Sequence, residues 1–182
     1  LFTSAHLVSF RERIQVDRHP IPESEVVRLV GELPPWFREF PADHSPTFFE
    51  ATTIMALRYF EQQHCDLVVW ETGLGGRLDA TNIVTPLASV ITNIGYEHMQ
   101  WLGNTLDQIA SEKAGIIKPR VPVVTAARPQ EGLEVIARTA QGHQSPLTVV
   151  GAADLQSPPL DTVRLPLLGR PQRRNAATAL AP

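Results

Sequence analysis

Two rhythms of apolar and polar positions alternate along the chain. Between 46 and 63, Phe48, Ala51, Met55, Ala56, Tyr59 and Phe60 recur at three- and four-residue spacing, which predicts a helix with that stripe on a core. Ser45 suits its cap and Pro46 its first helical position. A shorter helix is predicted from Glu23 to Glu32, starting near Pro22, with Val26, Val27, Leu29 and Val30 as its apolar side. The rest of 15–46 is broken by proline and reads as surface loop, tacked down by Trp36 and Phe37. A third helix is predicted over 104–114, where Thr105 and Gln108 offer a capping box and Gly115 the stop. A fourth runs from about Pro129 to Ala140.

The second rhythm is short and unbroken. Leu67-Val68-Val69-Trp70 and Ala88 to Ile94 read as strands buried on both faces, and Val121 to Thr125 and Leu147 to Val150 as two further strands. Strands alternating with helices predict an α/β fold with a mostly parallel, helix-flanked sheet.

Composition narrows the partners. The 182 residues carry a net charge of -3, so nothing favours nucleic acid or an anionic membrane, and an anionic substrate needs a local basic cluster. Cys65 is the single cysteine, which forbids an intramolecular disulfide and fits a reducing cytoplasm. No apolar run reaches membrane-spanning length, and no stretch reads as a signal peptide. The chain is expected to act as a monomer on small molecules.

The chemistry gathers where strands end. In open α/β sheets ligands sit beyond the carboxyl ends of strands, which singles out Glu71 after the first run and His98 after the second. Gly73, Gly75 and Gly76 follow Glu71 and allow close approach to a ligand and positive φ. A dinucleotide fingerprint fails because Leu78 stands where the third glycine belongs, and no phosphate-binding G-x-x-x-x-G-K-[ST] occurs. Lys113 continues the inward stripe of Leu106, Ile109 and Ala110, where desolvation frees an amine for chemistry; the alternative is a lysine snorkelling at a helix C-terminus. His6, Arg11 and Arg13 are candidates for meeting phosphate or a carboxylate, or are solvated charges on a turn.

As a string, Glu71 to Asn82 (E-T-G-L-G-G-R-L-D-A-T-N) resembles the folylpolyglutamate synthase/dihydrofolate synthase family of Mur-type ATP-dependent amide ligases. The likeness extends over 1–14, 46–126 and 167–181. It takes in T-S-A-H-L with E-R-I (Ala5 for the usual proline), T-F-F-E, G-Y-E-H (Glu97 for the usual aspartate) and S-E-K-A-G-I-I-K-P. It ends in a G-x-x-Q-x-x-N-A tail with Pro171 in place of histidine.

The resemblance implies the central ATPase domain of such a ligase, a P-loop-type fold. The P-loop segment is expected before residue 1 and the smaller glutamate-side domain after residue 182, so the chain alone is expected to be inactive. Glu71, His98 and Lys113, the last as a CO₂-derived carbamate, are implied as magnesium ligands, with two ions expected; Lys118 is read as structural. Thr47, Phe49, Asp79 and Ala80 are implied as the pterin wall, and Gln172 and Asn175 as adenine contacts. Arg170, Arg173 and Arg174 are either phosphate contacts or a solvated patch. The implied reaction is attack of a pteroate or folate carboxylate on the γ-phosphate of ATP, giving an acyl phosphate that the amine of L-glutamate opens. The alternatives are another Mur-type ligase, a nucleotide- or folate-binding relic without catalysis, and, least favoured, a dinucleotide oxidoreductase.

Overall fold

The stripe of the 46–63 helix is the spine of one half of the protein. In the computed structural model, which describes residues 1–167 and 169–181 (Ala42 and Arg170 by backbone alone), the chain forms two units. Residues 1–74 and 79–83 make the first, and residues 75–78 with those from Val84 onward make the second.

The first unit begins with a 3-10 turn, Phe10–Arg13, and a small hairpin of β1 (Gln15–Val16) and β2 (His19–Pro20). Its two-residue turn has positive φ at both Asp17 and Arg18, as a twisted hairpin requires. Helices α1 (Glu23–Phe37) and α2 (Phe48–Gln62) then pack on a core of Phe2, Ile14, Ile21, Leu29, Met55, Ala56, Tyr59 and Phe60.

Several expectations are corrected in this unit. Helix α1 continues through Pro34 and Pro35 to Phe37 instead of ending at Glu32. Both prolines lie in the last turns, and Leu33 and Phe37 reach the core, so tertiary contact offsets the two missing backbone donors. Val27 and Val30 face solvent; Leu29 and Leu33 are the buried side. Helix α2 is capped by Thr47 and Glu50 in a reciprocal capping box, not by Ser45, and Phe48 is exposed.

The largest correction concerns 67–70. This run is extended, but it makes one parallel bridge, Phe2 to Trp70, and Leu67 and Val69 are 69% and 65% exposed. Only one side packs: Trp70 stacks on Phe2 at 4.5 Å between ring centres, and Val68 lies against the core.

The second unit holds a parallel sheet in the order β3 (Ser89–Ile91), β4 (Val123–Thr125), β5 (Leu147–Val149), with Ser89, Val123 and Leu147 in register. Helices α3 (Met99–Leu102), α4 (Leu106–Ala114), α5 (Gln130–Gly142) and α6 (Arg170–Leu180) surround it. Successive residues of β4 point to opposite faces. Val123 joins Ile91, Ile109, Ala110 and Ile136 under α4 and α5, whereas Val124 joins Val150, Leu160 and Ala177 beside α6. The α/β, mostly parallel, helix-flanked architecture stands as read. Strand β3 is shorter than 88–94 and is not buried on both faces, because Val90 is exposed. No helix among the described residues is long and apolar enough to cross a membrane.

Candidate active site

In the first unit the glycine-rich segment is tied down by its own aspartate. Asp79 Oδ2 accepts from the Leu74 amide at 2.8 Å, and Oδ1 accepts from the Thr81 amide at 2.9 Å and from the Thr81 hydroxyl at 2.5 Å. Trp70 Nε1 donates to the Thr81 carbonyl at 2.9 Å, closing the segment onto the core. Asp79 is thus a turn-forming aspartate, with both acceptor sites of Oδ1 taken and one left on Oδ2. Gly73 lies against Phe49, where an added Cβ would come within 2.5 Å of the ring. Phe49 is half-buried and leans on Phe2 at 6.0 Å; Ala80 is half-buried, and Thr47 is exposed at the helix N-terminus with its hydroxyl accepting from the Glu50 amide. Phe49, Asp79, Ala80 and Thr47 therefore all belong to this unit.

Glu71 is exposed, and one of its oxygens is already engaged. Oε2 accepts from the Thr3 hydroxyl and, at 2.8 Å, from the Ser4 amide. The sequence reading missed Thr3 and Ser4, although the T-S-A-H-L string held them; nothing local shows that a segment so distant in sequence meets Glu71. The next residues form a loop held by charge. The Glu12 carboxylate accepts from the amides of Leu7, Val8 and Ser9 at 2.9, 3.1 and 2.7 Å, and these bonds hold its pKa below the ordinary carboxylate range. Leu7 and Val8, at the tip, are 94% and 92% exposed. Arg13 is buried, donates from Nε to His6 Nδ1 at 2.8 Å and lies over the Phe48 ring. Arg11 donates to the Ile21 carbonyl, so neither arginine is a freely solvated charge.

In the second unit, Gly75 takes φ +68, and Gly76 sits where a Cβ would meet the Glu112 and Lys113 carbonyls at 2.8 and 2.9 Å. The close approach made by these glycines and by Gly73 is to protein, namely the C-terminal end of α4 and Phe49, rather than to a ligand. Arg77 ties the segment to α4 within this unit. Its amide donates to the Glu112 carbonyl at 2.8 Å, and Nε and Nη2 reach Glu112 Oε1 at 3.0 and 2.8 Å. Lys113 is partly buried, as its place on the stripe predicts, and its Nζ pairs with Glu97 Oε1 at 2.7 Å. His98 follows Glu97 in the left-handed conformation, φ 48, exposed, with its carbonyl accepting from Trp101 and Leu102 at the start of α3. Lys113 and the Glu97–His98 segment are therefore together.

At the tail, Gln172 and Asn175 lie one turn apart on α6, with Asn175 Nδ2 at 3.5 Å from Gln172 Oε1. Arg173 donates to the Leu160 carbonyl at 2.7 Å; Leu168 and the Arg170 side chain lie outside the described residues.

The fold defines a class. Residues 24–181 match the Mur ligase middle domain, and the chain belongs to that family. Among its members the chain is similar to folate enzymes. It is 39% identical, over 98% of its length, to a dihydrofolate synthase/folylpolyglutamate synthase of Bacillus subtilis (strain 168), of which it covers 46%. Among solved structures it matches Escherichia coli FolC in complex with DHPP and ADP (TM-score 0.82, 36% identity, 99% of this chain and 44% of that one). It also matches a folylpolyglutamate synthase complex with AMPPCP and folate (TM-score 0.85, 32% identity, 98% of this chain and 48% of that one). The chain thus spans less than half the length of these relatives.

Proposed function

We propose that the chain is the central ATP-binding part of a ligase joining L-glutamate to the carboxylate of dihydropteroate or a reduced folate. The observation that carries the reading is the Asp79-tied segment. It packs against Phe49, so the Asp79 carboxylate on the loop and the Phe49 ring and Thr47 hydroxyl at the start of α2 belong to one unit. A carboxylate accepts from paired N–H donors of a pterin edge, and an aromatic ring stacks on its face. The naming of relatives as dihydrofolate or folylpolyglutamate synthases, and the nucleotide complexes of those solved, support the same assignment.

The proposal includes magnesium, two ions in all. Glu71 offers a hard oxygen, as that cation prefers. Lys113 cannot ligate as an ammonium; addition of CO₂ to its amine nitrogen, with loss of a proton, gives a carbamate with carboxylate-like oxygens. As a carbamate, Lys113 would join Glu71 and His98 as a candidate ligand. When bound, the ions would supply charge neutralisation for phosphoryl transfer. The residues of the chain orient the substrates: Asp79 and Thr47 hold the pterin edge, Phe49 its face, and the amides of Gln172 and Asn175 the donor–acceptor edge of adenine. We further propose a monomer acting in the cytoplasm, a setting that the free Cys65 suits.

Calorimetry with dihydropteroate tests the reading. Binding is expected, with affinity falling about tenfold in Asp79→Asn, in line with the worth of one charged hydrogen bond. Unchanged affinity in that variant, with the fold intact, removes the pterin assignment.

A further inference from the structure

We propose that Thr3 is a positioning residue for Glu71, fixing the carboxylate so that one oxygen stays open to a cation. The register comes from the core. Phe2 is fully buried and stacked on Trp70, its amide donates to the Val69 carbonyl at 2.8 Å, and its carbonyl accepts from the Glu71 amide at 3.1 Å. That parallel bridge sets Thr3 beside Glu71. The Thr3 amide donates to the Arg13 carbonyl at 3.0 Å, so its backbone is held on the other side as well.

From this fixed platform the Thr3 hydroxyl donates to Glu71 Oε2, and the Ser4 amide donates to the same oxygen. Among the described residues Oε1 receives no hydrogen bond. The asymmetry is what a cation ligand needs. Two donors on one oxygen stop the carboxylate rotating, and the other oxygen keeps its lone pairs. An exposed glutamate otherwise has three freely turning side-chain bonds, and ordering them opposes cation binding. Partners that orient a ligand in this way are typically worth ten- to hundredfold in metal affinity.

The proposal rests on the reading of Glu71 as a cation ligand, so the experiment separates the two. Mn²⁺ binding to the 182-residue chain is followed by electron paramagnetic resonance in wild type, Thr3→Val, Thr3→Ser and Glu71→Gln, with thermal midpoints recorded for each. Thr3→Val is expected to weaken Mn²⁺ about tenfold with an unchanged midpoint, and Thr3→Ser, which keeps the hydroxyl, to stay within about twofold of wild type. Glu71→Gln is expected to lose the site. Should valine disturb the fold, Thr3→Ala provides the same comparison.

Wild-type affinity in Thr3→Val alongside loss in Glu71→Gln overturns the positioning role and leaves Glu71 as the ligand. Equal losses in Thr3→Val and Thr3→Ser also overturn it, since the hydroxyl is then not the cause. Wild-type affinity in Glu71→Gln, or no Mn²⁺ binding by the wild type, overturns both.

Discussion

Gly115 is the position where a single methyl group reads out the packing of the glycine-rich segment. Its φ of −62 suits any residue, so a glycine is not needed there for backbone freedom. An alanine would normally gain about 0.4–1 kcal/mol at such a site by restricting the unfolded chain. Here, however, the added carbon would lie 2.4 Å from Arg77 Cβ, 2.5 Å from its Cα and 2.9 Å from its nitrogen. These are backbone-proximal atoms that cannot swing aside. Retreat would break the Arg77 amide bond to the Glu112 carbonyl, worth about 1 kcal/mol net, and overpacking adds about 1–3 kcal/mol. The unfavourable terms win, and Gly115→Ala is expected to destabilise by about 1–3 kcal/mol.

Urea unfolding provides the measurement. Gly142→Ala is the control: it ends α5 in the same unit, nothing lies within 4 Å of its added carbon, and it is expected to be neutral or slightly stabilising. A Gly115→Ala protein as stable as wild type would falsify the close-packing argument. So would equal losses in both variants, because the effect would then belong to glycine in general.

The remaining expectations are simpler. Phe2→Ala removes a fully buried ring and should cost about 3–5 kcal/mol in equilibrium unfolding, a loss under 1 kcal/mol arguing against Phe2 as an anchor. The carboxyls of Glu12 and Glu50 are lowered, Glu12 chiefly by the Leu7 and Ser9 amides and Glu50 by the Thr47 amide. A lowered folded-state pKa gives stability that is present above the unfolded value and lost as pH falls through the folded one. Urea midpoints should therefore drop below the ordinary glutamate range, and Glu12→Gln and Glu50→Gln should flatten that drop; an unaltered acid limb in both variants rules out this origin.

What the sequence revealed and what it hid divide by range. The Thr105–Gln108 box was legible because caps form between residues three apart, and Lys113 because a helix repeats its facing in the same window. The same capping rule, applied two residues further on, finds Thr47 in place of Ser45. Helix α1 ran past its expected end because proline penalties are local, whereas the contacts of Leu33 and Phe37 with the core are not. Leu67 and Val69 carry the composition of a doubly buried strand; burial depends on what arrives on each side, which no short run encodes. The Thr3–Glu71 bond and the Gly115–Arg77 contact join segments far apart in sequence. The glycines were recognised as a site of close approach, but the partner being approached had to come from the fold.

The narrow sheet has a bearing on how this chain behaves while it folds. Among the described residues each strand of this sheet has three residues, β3 and β5 form the outer rows, and Val90 and Val149 turn apolar side chains to water. An outer row of this kind has peptide groups able to accept another strand, from whichever chain reaches it first. Folding therefore competes with self-association, and the two differ in order: the first is independent of concentration, the second is not. Refolding yield should fall as protein concentration rises and recover when refolding is begun from high dilution.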